Sequence, residues 1–199
     1  GLAFYTDLRS EDEIDLEDAS EQQFINPAGN LFKVTLPAMK AALMALSAAY
    51  PNALAYPDLL AGSRQVMADF GVAATLDEAG FRDALFQLAM THGVMPTVSV
   101  LSFASIPGEH PCAHALARWQ ARSPNWVVSG ARHVAMDLDP AGRILLGALD
   151  GSRTFDELVA FMQAELAKTG LDLPLDQLRE LTAQQLWLFA RQGLLLAAC

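Results

Sequence analysis

The chain has 199 residues (21.4 kDa), of which 52% are apolar, and its mean hydropathy is +0.23, so it can pack one medium domain or two small ones. No uninterrupted apolar run reaches the roughly 18 residues of a membrane span, no charged-then-apolar signal segment opens the chain, and two cysteines, Cys112 and Cys199, exclude a disulfide scaffold. The net charge of −10 is uneven: residues 7–21 hold eight acids against Arg9, a local charge of −7 that leaves −3 for residues 22–199.

In chain order, Gly1 directly before Leu2-Ala3-Phe4 reads as an added residue on a fragment of a longer chain. Residues 1–21 are expected to be an acidic arm or linker, because Ile14 and Leu16 are the large apolar residues between Glu11 and Glu21. A carboxylate metal site there lacks regular ligand spacing and turn glycines. Gln22–Asn26 and Leu31–Thr35 flank Pro27-Ala28-Gly29-Asn30 and predict a hairpin. Pro37–Tyr50 predicts an Ala/Leu/Met helix stopped by Pro51-Asn52. Pro57–Phe70 is a second helix, with Pro57 in its first turn and Gly71 at its end. Asp77–His92 is amphipathic, with Phe81, Leu85, Leu88 and Ala89 on one face and Gly93 as its stop. Val94–Phe103 reads as a strand that Pro96 places at a sheet edge. Pro107–Pro111 marks a boundary. Beyond it come a helix at Cys112–Ala121, strands near Trp126–Ser129 and His133–Asp137, helices at Pro140–Leu149, Thr154–Lys168 and Leu175–Gln192, and a closing strand at Leu194–Ala198. Thr154 and Glu157 have capping-box spacing.

The two halves repeat. Tyr56–Ala61 matches Phe155–Ala160 at an offset of 99, Leu76-Asp77 matches Leu175-Asp176 at the same offset, and Gly93 matches Gly193 at 100. Leu36–Ala45 tracks Leu138–Gly147 at an offset of 102. The expected fold is mainly α with small β-ribbons (α+β): two tandem winged-helix-like modules, 22–108 and 109–199, behind the acidic arm 1–21.

Sites for chemistry are sparse. His110-Pro111-Cys112-Ala113-His114 spaces two histidines four apart, but Pro111 starts the helix and leaves His110 outside it, and no second ligand pair has zinc spacing. A surface helix start with a packed Cys112 is the plainer reading. Ser63 and Ser152 both sit in Gly-Ser-Arg, yet neither has a nucleophile elbow: Ser63 falls inside a helix and Ser152 in a turn. His133, in a predicted strand, reads as a structural or a contact histidine. Nucleotide-binding loops are absent; Gly29, Gly62, Gly71, Gly80 and Gly93 fall singly at turns, helix ends or packing positions. Recognition helices for DNA need several cations, and Pro57–Phe70 and Thr154–Lys168 offer one Arg and one Lys, while the first hairpin offers Lys33 alone. Trp119, Trp126 and Trp187 could line a ligand pocket, but Trp187 and Trp126 lie in apolar surroundings and read as core. No catalytic, cofactor-binding or metal-binding residue is assigned.

Lys40-Ala41-Ala42-Leu43 through Tyr56-Pro57-Asp58-Leu59-Leu60 resembles the region that follows the catalytic domain in a group of bacterial S-adenosylmethionine-dependent methyltransferases. His110-Pro111-Cys112-Ala113, Arg132-His133-Val134 and the run Leu145–Thr154 followed by Asp156-Glu157-Leu158 resemble the predicted methyltransferase regulatory domain and its C-terminal winged-helix region, shared with protein lysine methyltransferases. The resemblance covers most of residues 22–199. It implies a non-catalytic regulatory or substrate-recognition region of a larger enzyme, with no cofactor in this chain, S-adenosylmethionine in a missing N-terminal catalytic domain, that domain as partner, and a protein substrate as a further candidate partner; the composition is that of a cytoplasmic protein. Nucleic acid and membrane are not expected partners. The alternative is a stand-alone winged helix that binds peptides by strand addition, and a weaker one is a DNA-binding transcriptional regulator.

Overall fold

A computed structural model describes residues 1–72, 76–98, 102–124, 127–130 and 135–199. The chain divides into two compact units, Gly1–Leu101 and Ser102–Cys199. The boundary lies ahead of the proline-rich stretch expected to mark it, because Phe103 is buried and bridges Leu196, and the Ala104 amide donates to Leu195 O at 3.0 Å. Residues 102–108 therefore belong to the second unit.

The first unit runs β1 (Ala3–Tyr5), β2 (Gln22–Ile25), β3 (Leu31–Val34), α1 (Pro37–Ala49), β4 (Leu54–Ala55), α2 (Tyr56–Asp69), α3 (Glu78–Met90) and β5 (Met95–Thr97). The expected hairpin forms as the ribbon β2–β3, with Gln22 opposite Val34 and Ile25 opposite Leu31, and Gly29 takes a φ of +85° in the turn. A second antiparallel sheet has the order β4-β1-β5; Phe4 faces Leu54 on one side and Pro96 on the other, so Pro96 does sit on an edge strand. Helix α1 is buried through most of its first three turns (Ala38 to Leu43 and Leu46), as its Ala/Leu/Met composition allows, and packs on α2 and α3. Phe24, Met39, Leu43, Leu59, Phe81 and Leu85 fill the core around it.

The acidic segment is not the solvated arm expected from its composition. Ala3, Phe4, Thr6, Leu8 and Leu16 are buried, β1 is the central strand of its sheet, and Thr6 Oγ1 donates to Gly93 O at 2.5 Å. Its acidic stretch is pinned by a fully buried cation from α1: Lys40 Nζ donates to the carbonyls of Asp15 (2.7 Å) and Asp18 (3.3 Å) and to Ser20 Oγ (3.3 Å). Alternating buried residues and one lysine thus hold a segment whose charges face water.

The second unit runs α4 (Ala115–Arg122), β6 (Val127–Ser129), β7 (Ala135–Asp137), α5 (Pro140–Ala148), α6 (Phe155–Lys168) and α7 (Leu175–Arg191). Strands β6 and β7 form an antiparallel ribbon, and α5 and α6 pack in turn on their successors. The core holds Leu145, Leu146, Leu149, Leu158, Met162, Leu186 and Phe189. The closing strand is reduced to isolated bridges, Leu195 to Ala113 and Leu196 to Phe103. Cys112 and Cys199 are joined in a disulfide, with their Cα atoms 5.6 Å apart, whereas the sequence predicts a packed Cys112 at a helix start.

Each unit is thus mainly α with a small β-ribbon, an α+β winged-helix-like arrangement of a hairpin followed by three helices. Helix ends show the repeat more finely than residue identities do. Helices α2, α6 and α7 stop at Gly71 (φ +74°), Gly170 (+80°) and Gly193 (+66°), and in each the next amide reaches back to the carbonyl five residues earlier. Helix α3 ends the same way, but its left-handed residue is His92 (φ +63°), with Gly93 N donating to Leu88 O at 2.8 Å. Gly93 was expected to stop this helix; it serves packing instead, since a Cβ there would lie 2.9 Å from the Phe32 ring.

Candidate functional site

The residues singled out for chemistry do not converge. His110 is exposed; His114 is the N-cap of α4, its Nδ1 accepting from the Leu116 amide at 3.3 Å; Cys112 is in the disulfide. Among the described residues no group of three or more His, Cys, Asp or Glu side chains could hold a metal ion. Ser63 is fully buried in α2 and its Oγ donates to Leu59 O at 2.7 Å. His133 and Trp126 lie outside the described residues.

The turn from Asp150 to Thr154 is structural in every bond. Gly151 (φ +82°) takes a backbone shape that side chains resist, and a Cβ there would stand 2.7 Å from Cys199 Sγ. The Ser152 hydroxyl and amide both donate to Asp150, and these bonds, hydroxyl first and aided by Arg153, hold the Asp150 carboxyl below its ordinary range. Thr154 caps α6: its Oγ1 accepts from Glu157 N at 3.4 Å, and Glu157 Oε2 accepts from Thr154 N at 2.8 Å. The backbone bond from Thr154, then its hydroxyl, lowers the Glu157 carboxyl likewise.

The helices that would read DNA carry no surplus cation. Arg64, the only basic residue of α2, pairs with Glu78 at 2.6 Å, and Lys168, the only one of α6, pairs with Glu165 at 2.6 Å. Trp119 is 63% exposed and Trp187 49%. Trp187 was expected in the core, but α7 buries Leu178, Thr182, Leu186, Phe189 and Ala190, a face that turns the residue after Leu186 outward by about 100°.

An exposed apolar surface does form, in the first unit. Helix α3 turns Phe81 and Leu85 inward, which leaves Phe86 (64% exposed) and Met90 (66% exposed), one turn apart, on another face. With Leu2 (50% exposed), Phe4, Tyr56 and Pro96 they line a cleft of about 430 Å3. Tyr56 stands between Phe4 and Phe81, with ring centroids 6.5 and 6.4 Å away. Sequence reading assigned α3 one apolar face; the Phe86/Met90 spacing was the available sign of a second.

Residues 109–187 match the family model described as "PKMT, C-terminal winged helix domain". Among solved structures, the chain is similar to PKMT2 from Rickettsia typhi in complex with AdoHcy (TM-score 0.75, 15% identity, covering 98% of this chain and 42% of that one). It is also similar to a second PKMT2 structure from Rickettsia typhi (TM-score 0.73, 17% identity, covering 98% and 42%). At these identities the likeness is one of fold, and the chain spans less than half the length of those proteins. No curated protein matches it. Among the described residues no helix is long and apolar enough to cross a membrane.

Proposed function

We propose that this chain is the non-catalytic C-terminal region of a bacterial, cytoplasmic S-adenosylmethionine-dependent methyltransferase, and that it regulates the catalytic domain or presents a protein substrate to it. The observation that carries the proposal is the match of residues 109–187 to the PKMT C-terminal winged helix domain. The likeness to PKMT2 from Rickettsia typhi in complex with AdoHcy supports S-adenosylmethionine as the cofactor of the catalytic part. The apolar cleft around Phe86 and Met90 is the surface we assign to that catalytic domain: two large exposed side chains a turn apart gain several kcal/mol only when a partner covers them, about 1.5–3 kcal/mol each.

The test is calorimetric titration of S-adenosylmethionine into this chain and into the longer gene product that contains it. The longer protein is expected to bind and this chain to give no heat. Cofactor binding by this chain alone would overturn the reading. For the docking face, separately produced catalytic domain and this chain are expected to associate, and Phe86→Glu with Met90→Glu to weaken the complex at least tenfold, the size expected for losing two buried apolar side chains. The peptide-binding alternative, strand addition to a β-ribbon edge, is less favoured because the ribbons β2–β3 and β6–β7 have strands of four and three residues and offer little backbone to an added strand.

A further inference from the structure

A second cleft, of about 570 Å3, lies in the second unit between α4, α5 and α6, and Arg122, Arg143 and Arg153 line it beside Pro140, Ile144 and Phe161. Three of that unit's eight Lys and Arg residues therefore meet at one place in a chain of net charge −10. Their bonds go mainly to neutral carbonyls. Arg122 donates to Gly147 O from Nε (3.0 Å) and from Nη2, Arg143 donates from Nη2 to Gln120 O (3.2 Å) and to Ser123 O, and Arg153 Nη1 donates to Ala148 O (3.0 Å). These bonds satisfy carbonyls at the ends of α4 and α5, but a carbonyl does not neutralise a cation. Of these three, only Arg153 has a carboxylate within ion-pair distance among the described residues, Asp150 at 3.3 Å. Arg143 Nη1 is buried and has no hydrogen-bond partner among them. A buried charged donor without an acceptor is costly, so positive charge beside the cleft remains uncompensated and favours an anion there. The Arg153 guanidinium is held 5.2 Å from the centre of the Phe161 ring, which joins the cationic rim to the apolar wall.

We infer that this cleft binds an acidic peptide segment, the carboxylate held among Arg122, Arg143 and Arg153 and a neighbouring apolar side chain laid against Ile144 and Phe161. A carboxylate suits the cleft better than a phosphate, which asks for a full ring of donors, whereas here much of the wall around the three guanidinium groups is apolar and their bonds already go mainly to backbone carbonyls. The cleft's volume is in the range that accommodates a few side chains. The inference concerns the second unit alone and stands independently of the cofactor and docking readings above.

The test is NMR of the 199-residue chain, labelled with 15N, titrated with acetyl-Leu-Glu-Leu-amide, acetyl-Leu-Gln-Leu-amide and inorganic phosphate in turn. The Glu peptide is expected to give saturable shifts at the Nε–H groups of the three arginines, and the Gln peptide to bind at least about tenfold more weakly, the loss of one charge-assisted hydrogen bond. Arg143→Gln should abolish the difference between the peptides. Because Arg143 also ties α4 to α5, Ile144→Glu serves as the second variant: it puts a like charge into the cleft while leaving those ties, and it should weaken the Glu peptide more than the Gln peptide. Equal affinity of the two peptides, binding of phosphate alone, no saturable shift with either peptide, or indifference to both substitutions overturns the inference.

Discussion

Lys40 is the residue on which the first unit's acidic stretch turns. It sits fully buried on an otherwise apolar helix, and its ammonium group is met by two carbonyls and a hydroxyl, not by a carboxylate. Replacing it with an apolar side chain of similar length removes a buried cation but strands the carbonyls of Asp15 and Asp18. The stranded carbonyls dominate, because a buried acceptor without a donor pays its full desolvation cost. Lys40→Met is therefore expected to lower the stability of the first unit by about 1–3 kcal/mol, read as a lower urea midpoint, and to speed hydrogen exchange in residues 8–20. An unchanged midpoint would show that the stretch is held by Leu8 and Leu16 alone. A lysine inside the run Met39–Leu43 is a visible irregularity in the sequence; that its partners are two carbonyls and a hydroxyl 20 to 25 residues upstream is not.

At the scale of elements, helix starts and stops were the most legible features, because they depend on neighbours in sequence. Thr154 and Glu157 form the capping box their spacing predicts, and Pro37, Pro57 and Pro140 all fall in the first turns of helices. Thr154→Ala is expected to cost the second unit about 1 kcal/mol, seen as a lowered thermal midpoint. The same cap gives a pH dependence. Glu157 and Asp150 are both held below their ordinary carboxylate range in the folded unit, so the folded state binds fewer protons than the unfolded chain. Their stabilisation is complete above that range and fades as pH falls from about 4.5 downward. Thermal midpoints measured from pH 6 to about 3 should fall, and Glu157→Gln should fall less steeply, since its cap no longer titrates. Sequence reading placed the strands less well: the run Leu194–Ala198 is apolar enough for a strand but finds only single bridging partners.

For the whole molecule, each unit has its own core, and perturbing one core is expected to leave the other in place. The Cys112–Cys199 disulfide closes a span of 87 residues within the second unit. Opening it by reduction, or by Cys199→Ser, is expected to cost that unit about 2–5 kcal/mol by restoring freedom to its unfolded chain. Calorimetry should then show one transition moving down while that of the first unit stays in place. A shift of both transitions would mean that the cores do not unfold independently. The bond also bears on compartment: a reducing cytoplasm keeps such a pair as thiols, so alkylation of the two cysteines in freshly lysed cells tests the cytoplasmic proposal directly.

The sequence by itself determined most of the helical segments, the caps at Thr154, Gly71 and Gly193 and the repeat of hairpin and three helices, because these follow from composition, period and turn chemistry within about twenty residues. It also carried the family resemblance, through the run Leu145–Thr154 and its flanks. Tertiary structure alone decided that the acidic stretch packs, that Trp187 faces outward, that Cys112 meets Cys199, and that Phe86 with Met90, and Arg122 with Arg143 and Arg153, share clefts. Each of these is a meeting of residues from different elements, and such a meeting leaves no period or spacing in the chain. Hydrophobic burial chooses one face of a helix and is silent about what the other face will find beside it.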